Sequence, residues 1–105
     1  MSRAISLKQD TGPDISFYGE KIAEVDSRDY KRGPQQTRWT EMVMYKTGSG
    51  KLVVSIAGRS RMPGEVDRLK VKVCENIQEV FDKVGFSHLA KSLYEEAGFK
   101  AEVQV

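Results

Sequence analysis

The residues most readily given a chemical task are Arg68, Lys70 and Lys72 in the stretch DRLKVKV. Successive side chains of a strand point to opposite faces. This alternation therefore puts three cations in a row on one side of a sheet, roughly 6.6 Å between neighbours. Leu69, Val71 and Val73 take the other side. Such a row suits a line of anionic groups, a phosphate backbone above all. The same pattern also describes the solvated face of an ordinary strand, and lysine on an edge strand guards against aggregation. Further cations lie nearby in sequence: Arg28, Lys31 and Arg32 around Tyr30 in RDYKRGPQQ, and Arg59 and Arg61 in GRSRMPG. Residues 28–72 carry 11 basic and four acidic side chains, a net of +7 in a chain whose total is +2. The flanking segments are acidic, −2 over residues 1–27 and −3 over residues 73–105. These eight cations form the candidate binding surface. Charge asymmetry of this kind marks an interaction face, unless the acidic ends fold over the basic middle.

Catalytic chemistry finds less support. TGSGK resembles a phosphate-binding loop only in part: Tyr45 stands where the motif needs its first glycine, and Leu52 where it needs serine or threonine. It reads as a hairpin turn. His88 is the one histidine, and no acid–base partner is placed beside it by spacing. Cys74 precedes a helix start, where the dipole favours a thiolate, but it also follows an apolar strand, where cysteine is ordinarily inert. Glu95 and Glu96 are adjacent and point to different sides of a helix. The expectation is a protein that is not an enzyme, with no cofactor and no metal site.

The elements that must position these residues follow from periodicity. A chain of 105 residues with 39% hydrophobic and 30% charged side chains fits one globular domain over residues 1–105. No apolar run reaches the ~20 residues of a membrane span. The opening MSRAISLKQD has nothing like a signal-peptide core, so the expected location is the cytoplasm. RAISLKQ suggests a short strand, DTGPD a turn, and DISFYGEKIAEVDSR a strand bent or bulged near Gly19. TRWTEMVMYKTGSGKLVVSIAG reads as a hairpin, with Trp39, Glu41, Val43 and Tyr45 on one face of its first strand. Arg38, Thr40, Met42, Met44 and Lys46 take the other face, so both look partly covered.

Beyond DRLKVKV the period changes. Ile77, Val80, Phe81 and Val84 form a helical stripe, capped by Asn76 with Glu79 three residues on, and stopped at Gly85. Ser87 caps a second helix carrying Ala90, Leu93, Tyr94 and Ala97, which ends at Gly98. FKAEVQV reads as a closing strand. The expected fold is α+β, a mainly antiparallel sheet with a two-helix hairpin on one face. In this reading Leu69, Val71 and Val73 meet the helices, while Arg68, Lys70 and Lys72 point away from them. Trp39 is expected in the core, or as an interface anchor if exposed. The terminal strand FKAEVQV leaves homodimerisation open.

FYGEKIAEV followed by RWTEMVMYKTGSGKLVV resembles the EXLDI family of small bacterial and mobile-element proteins. The matching positions are Phe17, Gly19, Ala23, Glu24, Tyr45, Thr47, Gly50 and Lys51; Ile22 replaces a leucine, and the name-giving segment is missing. The resemblance covers residues 17–54. It implies no activity, but it suggests a phage or mobile-element protein. The expected function is thus a small protein-binding module that inhibits a host nucleoprotein complex, of the anti-CRISPR or another anti-defence type, by charge-assisted docking. The rival expectation is direct nucleic-acid binding through the eight cations.

Overall fold

The computed structural model describes residues 3–27 and 37–100. Five strands, β1 (Arg3–Leu7), β2 (Ile15–Asp26), β3 (Arg38–Thr47), β4 (Leu52–Ser60) and β5 (Arg68–Cys74), form one sheet in chain order. Every neighbouring pair is antiparallel. Two helices follow, α1 (Ile77–Val84) and α2 (His88–Ala97), and complete the α+β architecture. Phe99 and Lys100 continue beyond α2 without strand structure, and the rest of FKAEVQV lies outside the described residues.

Local chemistry sets the boundaries. The Thr47–Lys51 turn is closed by Thr47 N–H donating to the Lys51 carbonyl at 2.9 Å, with Gly50 at φ 91°, a conformation that favours glycine. Asn76 Oδ1 accepts from Glu79 N–H at 3.0 Å. Glu79 returns the contact by accepting from the N–H of Glu75, one residue before the cap, also at 3.0 Å. Ser87 Oγ accepts from Ala90 N–H at 3.1 Å. Gly98 ends α2 in the left-handed region, and Phe99 N–H donates back to the Tyr94 carbonyl at 2.9 Å.

One sheet face carries the helices, α2 across β2 and β3 and α1 across β4 and β5. Ala23, Met42, Met44, Leu52, Val54 and Cys74 meet Val80 of α1 and Leu89, Ala90, Leu93 and Tyr94 of α2. Complete burial of such side chains contributes about 1.5–3 kcal/mol each. A bulge between Lys21 and Ala23 shifts the register of β2, so that Ile22 and Ala23 both reach this core. The Tyr94 ring, fully buried, meets Phe81 edge-on at 4.9 Å, and its hydroxyl donates to the Gly85 carbonyl. The α1–α2 turn is thereby tied to the core.

The opposite face is covered by the sheet itself. At Gly19 the chain passes so close to β3 that a Cβ would lie 2.4 Å from the Lys46 carbonyl oxygen. From there the β1–β2 hairpin curls over, bringing Phe17 edge-on to Tyr45 at 5.6 Å. Its turn meets the far edge: Asp10 N–H donates to the Leu69 carbonyl, and Leu69 N–H donates to Asp10 Oδ2, both at 2.9 Å. Val53 is accordingly only 1% exposed although it faces away from the helices. The sheet thus has two apolar faces, one under the helices and one under its own hairpin.

Candidate cationic site at one end of the sheet

Antiparallel partners share a face, which fixes the direction of the cationic row. Arg68 pairs with Gly58, Lys70 with Ile56, Lys72 with Val54 and Cys74 with Leu52. Since Val54, Leu52 and Cys74 lie under the helices, the three cations are on the helix-bearing face, not the opposite one. This corrects the expectation from alternation. Leu69, Val71 and Val73 instead pair with Ala57, Ser55 and Val53 on the curled face. The physical reason is that apolar cover exists on both sides, and that the helices reach only the Cys74 end of β5. Lys72 is half-buried beside them, while Lys70 and Arg68 are exposed beyond them.

Past the helices the same face continues as a shallow platform. Arg38 pairs with Ser60 and Thr40 with Gly58, so Arg38, Thr40, Gly58, Ser60 and Arg68 share it. They line a cleft of about 790 Å³, with a floor of small residues and one wall supplied by the β4–β5 connection. In that wall Glu65 accepts from Arg38 Nε at 3.0 Å and from Arg38 Nη2 through its other oxygen. Ser60 Oγ donates to Glu65 as well. The bond from Arg38 first, that from Ser60 second, and the nearby Arg68 charge hold the Glu65 carboxyl down at about 2.

Two of the sequence candidates face the other way and are already engaged. Arg59 Nε donates to Glu41 at 3.0 Å and Arg59 Nη1 to Asp67 at 2.8 Å. These bonds lower the Asp67 carboxyl pKa and raise that of the guanidinium. Arg61 lies 5.0 Å over the Trp39 ring, a cation–π contact. Trp39 is half-buried and donates from Nε1 to Glu41 at 2.8 Å, so it is neither full core nor a bare anchor. By contrast, among the described residues no carboxylate forms an ion pair with Arg68, Lys70 or Lys72.

Arg28, Lys31 and Arg32 lie outside the described residues. The chain leaves β2 and re-enters β3 at this end of the sheet, with Thr40 N–H donating to Ser27 Oγ at 2.9 Å and Arg61 N–H to the Thr37 carbonyl at 2.8 Å. Sequence reading missed Arg38 and Glu65 as site residues. They are 27 positions apart, and are joined only because the β3–β4 register sets Arg38 beside Ser60 and the β4–β5 connection carries Glu65 back to it. Elsewhere, Cys74 is buried and desolvation raises its thiol pKa, which opposes nucleophilic use. His88 opens α2, and Glu96 accepts from the Glu24 N–H at 3.3 Å. Among the described residues no group of His, Cys, Asp and Glu could hold a metal ion.

No family model matches this chain, nor does any curated protein or solved structure. Among the described residues no helix is long and apolar enough to cross a membrane.

Proposed function

We propose that the protein is a non-catalytic binding module. It docks by charge on a nucleoprotein surface, with the helix-bearing edge of β5 and the adjoining cleft as the contact. The observation that carries this reading is the row Arg68, Lys70 and Lys72, whose cations have no ion-pair partner among the described residues and whose first member, Arg68, lines the cleft with Arg38. Nucleoprotein assemblies present phosphates and acidic side chains together, and cations at strand spacing serve either. Phosphate is favoured because the exposed stretch offers charge, and the cleft carries the small or polar residues Thr40, Gly58 and Ser60 beside Arg38 and Arg68. Inhibition of such an assembly by occupying its nucleic-acid surface, as a mobile-element protein would do, is the biological form of this proposal.

The test is fluorescence anisotropy of labelled single-stranded and duplex DNA and RNA at low salt. The native protein should bind, and the triple variant Arg68→Glu, Lys70→Glu, Lys72→Glu should not. Absence of binding by the native protein at low salt would overturn the phosphate reading. Immobilised protein would then be assayed for a partner whose capture survives nuclease and is lost in the same variant.

A further inference from the structure

We propose that Arg38, Ser60 and Arg68 form a subsite for a single phosphate group, and that Glu65 occupies it as an internal competitor. The inference rests on the cationic-end reading and deepens it by naming the ligand chemistry and its regulation. The contact between Arg38 and Glu65 is two-pronged, with Nε and Nη2 each donating to a different carboxylate oxygen. A guanidinium makes the same planar, bidentate contact to phosphate. Ser60 Oγ adds a third donor to Glu65, and the Arg68 charge acts on it too. One anion is therefore already bound by two side chains from two strands, with the Arg68 charge close enough to act on it. A phosphate carries more charge and more acceptor oxygens than a carboxylate, and would use the same donors more fully.

The surroundings leave room for exchange. Beneath the site the floor is Gly58 and Thr40, in a cleft of about 790 Å³. Glu65 is carried by a short, exposed connection. It follows Gly64 at φ 84° and precedes Val66, which is 83% exposed. Asp67, two residues on, is fixed separately by Arg59 and by the Ser60 N–H, so the base of the connection stays anchored when Glu65 leaves. Exposed ion pairs are individually weak, which makes Glu65 a displaceable occupant. A site competent in only part of its population binds with apparent affinity reduced by that fraction. Removing the internal carboxylate should restore the full affinity.

The experiment follows the side-chain Nε–H NMR signals of Arg38 and Arg68 while inorganic phosphate is added to the native protein, Glu65→Gln and Glu75→Gln. Glu75 pairs with Lys51 at the other end of β5, so its variant changes net charge equally without touching the cleft. Glu65→Gln should bind phosphate several-fold more tightly than the native protein, with saturating shifts at both arginines. Glu75→Gln should match the native protein, and adding Arg38→Gln to Glu65→Gln should erase the gain. Equal behaviour of the two single variants, or no saturating shift at Arg38 in Glu65→Gln, overturns the subsite. Nucleic-acid binding by the native protein with no gain in Glu65→Gln sinks the subsite alone. A phosphate gain without nucleic-acid binding retires only the larger reading.

Discussion

Gly19→Ala tests how the sheet covers its second face. A Cβ at this position would stand 2.4 Å from the Lys46 carbonyl oxygen, 3.0 Å from Thr47 Cα and 3.1 Å from the Lys46 carbonyl carbon. Comfortable contacts between carbon atoms are roughly 3.5–4 Å, and all three neighbours are backbone, so no side chain can swing aside. β2 or β3 must shift. Forcing atoms into a filled site costs about 1–3 kcal/mol or more. Alanine opposes this by restricting the unfolded chain, which is worth about 0.4–1 kcal/mol. The clash wins, leaving a net loss of about 2 kcal/mol. For a domain of this size that lowers Tm by roughly 8–16 °C. Gly58→Ala is the matched control, because its Cβ would meet Arg68 Cβ at an ordinary 3.7 Å. Urea unfolding followed by far-UV circular dichroism gives both numbers. Equal stability of the two variants would refute the account of the bend at Gly19.

Acid should loosen the cleft wall before it unfolds the sheet. Because the Glu65 carboxyl is held at about 2 against an ordinary 4.5, the contact is complete above pH 4.5 and is lost as pH falls toward 2. NMR titration of the Glu65 side chain should show this depressed midpoint. Arg38→Ala should return it toward the ordinary value, and a normal midpoint in the native protein would contradict the geometry. The Cys74 thiol should resist alkylation by iodoacetamide at neutral pH and react once urea unfolds the chain; rapid native labelling would contradict its burial. Leu93→Ala, at a fully buried position between α2 and the sheet, should cost about 2–5 kcal/mol in the same urea assay. A loss below about 1 kcal/mol would mean that α2 is not seated on the sheet as described.

Much of this architecture was legible because it is encoded locally. The Asn76 and Ser87 caps, the Gly85 and Gly98 stops and the TGSG hairpin each depend on residues a few positions apart, and each forms as its sequence indicates. The facing of β5 was not legible from alternation alone. An alternating strand says that its two sides differ, not which of them meets a helix. Two signals bear on that choice. Cys74 is in phase with Lys72, so the side carrying the lysines also ends in an apolar residue. Leu52, Val53 and Val54 are consecutive and all buried, which requires cover on both faces of β4. The cleft was less accessible still, since Arg38, Ser60 and Arg68 are brought together only by strand register, and Glu65 by the path of the β4–β5 connection.

The central claim is that the cations of β5 contact phosphate, and the salt dependence of nucleic-acid binding tests it most directly. Each phosphate neutralised contributes about 0.9 to the slope of log affinity against log salt for duplex DNA, and about 0.7 for single strands. Replacing Arg68, Lys70 and Lys72 together by glutamine should therefore make the slope shallower by about 2.7 on duplex and about 2.1 on single strands, with weaker binding at every salt concentration. An unchanged slope, or no binding by the native protein even at low salt, would contradict the claim.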